Sequence, residues 1–401
     1  MKNNNRISFK YDICIIGGCG HIGAPLGILF ASKGVKVVGY DVDQKKVDQM
    51  NFGKMGFIEA GCSELLKKSL KKKNIYFSTD PKVIKFSKFL IICIGTPVDE
   101  HANPKFGVID ELIKLLRKQI SAPNQIIIVR STVYPGITKY IQRKLDKKIK
   151  IAFCPERIAE GFALEEYRTL PQIIASPDKV ARKIVSALFS KINQDIYEMD
   201  NFKEAEFVKI IANAFRYINF AIPNQFFMIA QRNKLNFDNI YRAAIYKYPR
   251  MQGFFNKGFV GGTCLFKDTM QLNAYHSNYF TLGQAAMFIN EGLPDFIIGI
   301  LEEKYGGLED KTIGILGMTF KADIDDIRES LSFKLKKLLN SKSKEVKWHD
   351  PYLNNDKDCK PFKEVINCNI VILATSHTYY KKRVNQLKKI KNFYNATYWQ
   401  I

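Results

Sequence analysis

Short apolar runs alternate with glycine-rich turns and longer mixed stretches along most of the chain. In the first half, these runs occupy residues 11–16, 35–40, 89–94, 125–129 and 151–154. A second group occupies residues 312–316, 346–349 and 370–374. Strands of a parallel sheet are buried on both faces and therefore read as continuous apolar runs. The pattern predicts two α/β regions.

The periodicity changes between these two regions. From residue 204 to residue 234, apolar side chains recur at intervals of three and four, as in Phe207, Ile210 and Ala214, which predicts a long helix. Pro223 lacks a backbone N–H, so we expect it to kink or interrupt this helix. The predicted fold is therefore α/β, with two Rossmann-like doubly wound parallel-sheet domains joined by a central helical domain. The predicted domains are residues 1–198, 199–303 and 304–401.

The first apolar run is followed at once by GGCGHIG, residues 17–23. Its GxGxxG spacing opens a predicted helix, and the second strand stops at Asp41. This unit is the dinucleotide-binding fingerprint, in which backbone N–H groups meet a pyrophosphate and the acid binds the ribose. Asp41 favours NAD over NADP, and the alternative is a glycine-rich turn in a nucleotide-free domain. The predicted cofactor contacts in the turn are Gly18, Gly20, His21, Ile22 and Gly23.

Polar residues follow three of the later strand-like runs. Thr96 follows the run at 89–94, Thr132 the run at 125–129, and Glu156 and Glu160 the run at 151–154. In a doubly wound sheet, ligands bind outside the carboxyl ends of the strands. These four residues are therefore candidate site residues, although each taken singly is also an ordinary loop residue.

Residues 258–268 read GFVGGTCLFKD and contain a candidate nucleophile. The glycines allow a tight turn, and Lys267 and Asp268 follow Cys264 closely. A reactive cysteine needs positive charge or an oriented base nearby. The alternative is a glycine-rich turn in which Cys264 is a small buried apolar residue.

The charge balance leaves several kinds of partner open. Lys and Arg number 62 against 39 acidic residues, for a formal charge of +23. This charge fits an anionic substrate, but also nucleic acid, a membrane surface or simply a lysine-rich solvated surface. Because the lysine runs are scattered, we expect no nucleic-acid or membrane partner.

The eight cysteines include no CxxC pair, which predicts reduced thiols and no metal site. Without a signal-peptide pattern or an apolar run of spanning length, we expect a cytoplasmic protein.

With these motifs in order, the chain resembles the UDP-glucose/GDP-mannose dehydrogenase family over nearly its whole length. The matching segments are GCGHIG with Asp41, GTP at 95–97, STVYPG at 131–136, PERIAEG at 155–161, Lys209 with Asn213, the cysteine motif at 258–268, and GMTFKADIDDIRES at 317–330. The resemblance implies an N-terminal NAD-binding domain, a central dimerisation domain with the cysteine loop, and a C-terminal domain that binds the UDP of a nucleotide sugar.

The family oxidises the 6-hydroxymethyl group of a nucleotide sugar to a carboxylate in two NAD-dependent steps. By resemblance, Cys264 captures the aldehyde as a thiohemiacetal, which is oxidised to a thioester and hydrolysed. Lys209 and Asn213 would stabilise the developing negative oxygen. Asp268 and Glu156 would share the acid, base and hydrolysis roles, with Thr132 holding a water.

Further contacts follow from the same resemblance. Cofactor or substrate phosphates would meet Lys267 and Arg328, and Thr96 and Thr132 would also contact the cofactor. The predicted substrate contacts are Glu156, Glu160, Lys209, Arg250, Gly261 and Lys321. Members of the family commonly pair through the long helix, so we expect a homodimer or higher oligomer.

The cysteine motif departs from the common family pattern GPGxGGxCxPKD. Lys257, Gly258 and Phe259 replace Gly-Pro-Gly, and Phe266 replaces the later proline. The lysine at 267 is usual in UDP-glucose and GDP-mannose members, so UDP-glucose is the expected substrate. Oxidation of a UDP-N-acetylhexosamine or of GDP-mannose is the alternative. A two-electron dehydrogenase and a non-catalytic nucleotide-binding protein also stay open.

Overall fold

The computed structural model describes residues 9–97, 99, 105–146, 149–277, 279–397 and 399. The chain forms two compact units that meet in sequence at Ile211 and Ala212. Within the described residues, each unit contains one sheet. The long central helix Phe202–Arg232 begins in the first unit and ends in the second, and the later central helices belong to the second. The predicted α/β class with two sheets and a central helical region is confirmed, whereas the three domain boundaries stay a prediction.

Twelve strands build the two sheets in the described part of the chain. They are β1 (Tyr11–Ile16), β2 (Val37–Tyr40), β3 (Ile75–Ser78), β4 (Ser87–Ile92), β5 (Ile126–Val129), β6 (Lys150–Phe153), β7 (Gln172–Ala175), β8 (Ile196–Met199), β9 (Thr312–Leu316), β10 (Glu345–His349), β11 (Ile370–Leu373) and β12 (Phe393–Asn395). The large sheet has the order β3-β2-β1-β4-β5-β6-β7-β8, and the small sheet has the order β10-β9-β11-β12. The strand order of the large sheet reverses between β1 and β4, where doubly wound sheets bind their ligands.

Among the residues that the structure describes, sixteen helices and one 3-10 turn connect the strands. They are α1 (Gly23–Ser32), α2 (Gln44–Asn51), α3 (Cys62–Lys71), α4 (Lys82–Lys85), α5 (Phe106–Gln119), α6 (Ile137–Leu145), α7 (Ala163–Thr169), α8 (Lys179–Phe189), α9 (Phe202–Arg232), α10 (Phe237–Ile245), the 3-10 turn Pro249–Met251, α11 (Leu265–Tyr275), α12 (Thr281–Tyr305), α13 (Leu331–Asn340), α14 (Phe362–Val365), α15 (Thr378–Lys381) and α16 (Val384–Leu387). No helix within the described residues is long and apolar enough to cross a membrane.

The large sheet is buried on both faces, as its apolar runs predict. In β1, Ile13 and Ile15 belong to one core cluster, while Cys14 and Ile16 belong to the cluster on the opposite face. This alternation is the two-residue period of a strand. β1 pairs in parallel with β2 on one side and with β4 on the other. The carboxyl ends of these strands therefore meet at one edge of the sheet.

Two features differ from the sequence prediction. β7 runs antiparallel to β6 and parallel to β8, so the large sheet is mixed at one edge rather than wholly parallel. Helix α9 continues through Pro223 without a break, and the predicted interruption is wrong. A proline removes one helical hydrogen bond, and the flanking residues are firmly packed: Ala221, Asn224 and Phe227 are each at most 4% exposed.

Candidate active site

The turn after β1 has the close packing that its glycines predict. A Cβ atom at Gly18 would lie 2.5 Å from the Cα of Gly39, and one at Gly23 would lie 2.3 Å from the carbonyl oxygen of Gly17. Both positions therefore exclude any side chain. At Gly20 the nearest atom would be 3.6 Å away, which leaves room for a ligand to approach the backbone. The turn and the N-terminus of α1 thus fit a bound pyrophosphate.

Asp41 is held in place at the carboxyl end of β2. Its Oδ2 accepts a hydrogen bond from the Cys19 backbone N–H at 3.0 Å, and its Oδ1 accepts one from Asp43 N–H at 3.2 Å. Each carboxylate oxygen can accept a second hydrogen bond, so the group remains able to accept from a ribose hydroxyl. The residues present fit a dinucleotide, which supplies the hydride acceptor when it is bound.

Thr96 and Thr132, two of the residues predicted at the strand ends, contact each other. A third, Glu160, contacts His21 of the glycine-rich turn. The Thr96 hydroxyl donates to the Thr132 carbonyl oxygen and so links the segments that follow β4 and β5. His21 Nδ1 lies 3.9 Å from Glu160 Oε2, and the His21 ring stacks on Phe57 at 4.0 Å between centroids. These contacts lie at the predicted edge of the sheet.

Glu156 forms a buried ion pair that the sequence analysis missed. Arg130 Nε donates to Glu156 Oε2 at 2.8 Å, and Arg130 Nη2 lies 2.7 Å from the same oxygen as an ion-pair contact. The backbone N–H groups of Arg157 and Ile158 donate to Oε1 at 2.6 and 2.8 Å. Arg130 is 1% exposed and Glu156 is 5% exposed. Burial alone would lower the pKa of Arg130, but the Glu156 carboxylate raises that pKa overall.

Three hydrogen bonds and the Arg130 Nη2 contact surround the Glu156 carboxylate. Arg130 also donates to Gln172 Oε1 at 3.1 Å and lies over the ring of Tyr167 at 5.2 Å. The ion pair connects the end of β5 to the turn after β6. The acid, base and hydrolysis role expected of Glu156 stays a prediction.

The cysteine motif forms the start of helix α11. Cys264 is exposed and occupies the residue just before the helix. Asp268 lies in the first turn and is fully buried, although it is charged. Its Oδ2 accepts from Asn213 Nδ2 at 2.6 Å, and its Oδ1 accepts from Lys267 Nζ at 2.6 Å. The amide and the ammonium together stabilise a carboxylate that burial would otherwise penalise.

Lys209 and Asn213 lie one turn apart on α9, as their spacing predicts. They are 8% and 4% exposed, so neither is the exposed polar residue that a surface position would give. Arg250, in contrast, is exposed, and its guanidinium lies 5.7 Å from the centre of the Tyr248 ring. Within the second unit, the described structure joins Asn213, Lys267 and Asp268 and leaves Arg250 outside this cluster.

Gly261 and Gly262 pack against the segment that follows β9. A Cβ atom at Gly261 would lie 2.7 Å from the Glu329 carbonyl oxygen, and one at Gly262 would lie 2.8 Å from the Phe320 ring. Gly262 also has a φ of +95°, which side chains disfavour. The cysteine loop and the GMTFKADIDDIRES segment are therefore in direct contact. Within that segment Lys321 is half-buried, and Arg328 pairs with Asp326.

The residues that replace the common family motif make contacts of their own. Lys257 is 4% exposed, and its ammonium donates to Asp238 Oδ1 at 2.5 Å. The Gly258 backbone N–H donates to Asn224 Oδ1 at 2.9 Å, and its carbonyl accepts from Asn224 Nδ2 at 3.1 Å. Asn224 donates in turn to Asn290 at 2.9 Å. Sequence alone gave no signal for Asn224, because its partner lies 34 positions away.

All eight cysteines lie within the described residues, and Cys264 alone among them is exposed. Burial raises the pKa of Cys19, Cys62, Cys93 and Cys154 to about 12. Burial also raises the pKa of Cys359 and of Cys368. The alternative that Cys264 is a buried apolar residue is therefore wrong, and Cys264 is the most accessible of the eight thiols.

Comparison with known proteins covers nearly the whole chain. The sequence profiles of the UDP-glucose/GDP-mannose dehydrogenase family match residues 11–193 as its NAD binding domain, 203–292 as its central domain and 314–398 as its UDP binding domain. A UDP-N-acetyl-D-mannosamine dehydrogenase of Methanococcus maripaludis is 30% identical over 92% of this chain and 88% of its own.

Solved structures agree with the fold. The UDP-D-ManNAc dehydrogenase of Pyrococcus horikoshii has a TM-score of 0.87 at 26% identity and covers 96% of this chain and 95% of its own. A UDP-glucose dehydrogenase of Pyrobaculum islandicum has the same TM-score of 0.87 at 23% identity and covers 98% and 99% of the two chains. At 23% identity, the similarity to the Pyrobaculum islandicum structure shows a shared fold only.

The dinucleotide turn, the exposed cysteine and the matched UDP-binding domain define an NAD-dependent dehydrogenase of nucleotide sugars. NAD is its cofactor, as the sequence predicted. The chain belongs to the UDP-glucose/GDP-mannose dehydrogenase family.

Proposed function

We propose that this protein oxidises the 6-hydroxymethyl group of a UDP-linked sugar to a carboxylate through covalent catalysis at Cys264. The observation that carries this proposal is the geometry at the start of α11. There an exposed thiol precedes a fully buried Asp268 that is held by Asn213 and Lys267. A structural cysteine needs neither the exposure nor the buried charges beside it.

The reaction requires the loss of two hydrides and the gain of one oxygen. The alcohol first loses a hydride to NAD⁺ and a proton to a base, which gives the aldehyde. The Cys264 sulfur adds to the aldehyde carbon, and the resulting thiohemiacetal would give its second hydride to a second molecule of NAD⁺ and its hydroxyl proton to a base, which leaves a thioester. Water then cleaves the C–S bond, which releases the carboxylate and restores the thiol.

The chain's own residues have distinct parts in this proposal. Lys209 and Asn213 stabilise the negative oxygen that develops on the reacting carbon. Asp268 is the candidate acid and base group because it lies one helical turn from Cys264. Thr132 holds the attacking water, and the buried Arg130–Glu156 pair fixes the turn after β6.

We propose UDP-N-acetyl-D-mannosamine as the first candidate substrate. Support comes from relatives of that name that are 29% and 30% identical to this chain over 91% and 92% of its length. UDP-glucose, the substrate expected from the sequence, is the second candidate. Lys267 favours it, since this lysine is usual in the UDP-glucose members that the chain resembles.

The test is a panel of nucleotide sugars with NAD, and NADH is counted per sugar consumed. Two NADH per sugar supports the proposal, one NADH indicates a two-electron dehydrogenase, and none across the panel indicates a non-catalytic protein. Cys264→Ala should abolish acid formation, whereas Cys264→Ser should turn over slowly and accumulate an ester adduct visible by mass spectrometry. Cys359→Ala is the matched thiol control and should keep full activity.

A second copy of the chain is the proposed partner of helix α9. Its exposed apolar residues lie within one narrow face: Ile211 (52% exposed), Phe215 (63%), Ile222 (40%), Phe226 (49%) and Ile229 (51%). Apolar residues repeated at helical spacing on a surface are typical of an interface. We therefore propose a homodimer or higher oligomer that covers this face.

A further inference from the structure

A buried histidine lies beside the segment that carries Lys321. The segment follows β9, while Asp350 follows β10 and His377 follows β11 by four residues. Since the three strands are parallel, their carboxyl ends meet at one edge of the small sheet. Asp350 and His377 are both 0% exposed. Two buried titratable groups at this edge call for a structural or functional reason.

The hydrogen bonds of His377 define its protonation state. Its Nδ1 accepts from the Asp323 backbone N–H at 2.9 Å, so that nitrogen carries no proton. The proton of the neutral ring is therefore on Nε2, which lies 3.0 Å from Asp350 Oδ2 and donates to it. Asp350 Oδ2 also accepts from Met318 N–H at 2.7 Å. The ring thus bridges a buried carboxylate and the backbone at Asp323.

The backbone is fixed on both sides of Lys321. The Thr319 hydroxyl donates to the Lys321 carbonyl oxygen at 2.8 Å, and Thr375 donates to the Thr319 carbonyl at 2.8 Å. On the other side, Asp323 has a φ of +61°, a strained value for a residue with a side chain. Such a conformation persists only where the surroundings fix it.

Asp323 is fixed by three neighbours besides His377. Its Oδ1 accepts from Tyr352 OH at 2.9 Å and from Thr378 N–H at 2.8 Å, and its Oδ2 accepts from the Thr378 hydroxyl. His377 adds a contact to the backbone N–H of Asp323. Asp323 is thus fixed through its side chain by Tyr352 and Thr378 and through its backbone by His377 Nδ1.

The same segment is packed against the cysteine loop. Phe320, the residue before Lys321, lies where a side chain at Gly261 or Gly262 would be. The position of Lys321 is thus set from two directions, by the Phe320 contact with the cysteine loop and by the His377 bridge. A lysine fixed in this way would hold a nucleotide diphosphate at a defined distance from Cys264.

We propose that His377 is a positioning residue for the nucleotide half of the substrate. Its neutral ring fixes residues 319–323 in the conformation that presents Lys321 to the UDP group. This inference rests on the proposed function and on the sequence prediction that Lys321 contacts the substrate. His377 is itself fully buried, so its proposed effect on UDP is through Lys321.

Two conservative variants test the hydrogen bonds of the two ring nitrogens of His377 separately. His377→Gln keeps a donor near the Nε2 position for Asp350 and loses the acceptor for Asp323, whereas His377→Asn keeps the acceptor and loses the donor. Each should weaken the binding of UDP by about tenfold, as loss of one buried hydrogen bond allows. The KM for the nucleotide sugar should rise to match, with kcat within about twofold of wild type.

The matched control is His349→Asn, since His349 is also buried, at 6% exposure, and precedes Asp350. His349 Nδ1 bonds to Tyr380 OH at 2.9 Å, and neither ring nitrogen bonds to residues 318–323 in the described structure. UDP affinity of this variant should equal that of wild type. A comparable loss in His349→Asn would show general destabilisation and overturn the inference.

A double-mutant cycle tests whether His377 acts through Lys321. Lys321→Ala should weaken UDP binding, and adding His377→Gln should weaken it no further. Additive losses would overturn the inference. Amide hydrogen exchange at Asp323 gives a readout that needs no nucleotide: it should be faster in His377→Gln, which loses the acceptor, than in wild type or in His377→Asn, which keeps it, and unchanged exchange in His377→Gln would refute the positioning role. If wild type fails to bind UDP, the proposed function falls, while the exchange result still decides the role of His377.

Discussion

Replacing Arg130 with methionine removes the cation of the buried pair and keeps much of the side-chain volume. Glu156 Oε2 then loses the Nε hydrogen bond and the Nη2 ion-pair contact, while Oε1 keeps its two backbone N–H donors. At 5% exposure, water does not replace the lost donors. Removing one partner of a buried ion pair is costly because it leaves an uncompensated charge.

The expected cost is about 3–5 kcal/mol of the free energy of unfolding. Methionine retains apolar contact with the rings of Tyr167 and Phe189, which lie 5.2 and 5.1 Å from the guanidinium, so packing loss adds little. The loss should therefore come from the stranded carboxylate. Arg130→Met combined with Glu156→Gln removes that charge and should recover more than half of the lost stability.

Native-state hydrogen exchange measures this effect where it arises. The amides of β5 and β6 should show an opening free energy lowered by about 3–5 kcal/mol in Arg130→Met, with partial recovery in the double variant. The amides of β9 and β11 serve as the internal control. A change below about 1 kcal/mol at β5 and β6, or a double variant less stable than the single one, would refute the reasoning.

Four further outcomes follow from the structure. Asp41→Ala should weaken NAD more than NADP, measured as the ratio of kcat/KM for the two cofactors. Phe215→Glu, on the exposed face of α9, should shift the protein toward monomer in light scattering. Asn224→Ala removes two bonds to Gly258 and should cost about 2–3 kcal/mol in urea unfolding. Burial lowers the pKa of His349 from 6.5 to about 4. The contribution of neutral His349 to the free energy of unfolding is therefore fully present above pH 6.5 and falls as the pH drops toward 4. His349→Gln should remove this pH dependence.

The strands that carry the site could be predicted because they are buried on both faces. β1 and β9 were predicted with the bounds observed, since a continuous apolar run followed by glycine leaves little choice. The dinucleotide turn was equally clear, because its glycines are required by contacts with the adjoining backbone. Local sequence therefore predicts those elements in which every residue is buried or closely packed in the same way.

The missed features depend on neighbours that sequence does not reveal. β8 lies at the edge of the sheet, with residues of intermediate and high exposure and no apolar run, so no pattern distinguishes it from a loop. The direction of β7 is set by its pairing with β6 rather than by its composition. Asp268 meets Asn213 across 55 positions, and Arg130 meets Glu156 across 26. Such pairs are fixed by the tertiary fold alone.

The contrast among the cysteines makes the protein a natural single-site substrate for thiol reagents. At neutral pH, a thiol with a pKa of about 12 is ionised in roughly one molecule in 10⁵, and burial also shields it from the reagent. Cys264 is the one exposed thiol of the eight. A maleimide probe should therefore react first at Cys264, ahead of the half-buried Cys93, Cys359 and Cys368. The label taken up in that first phase would count the chains whose Cys264 is free to react, which gives a titration of every preparation.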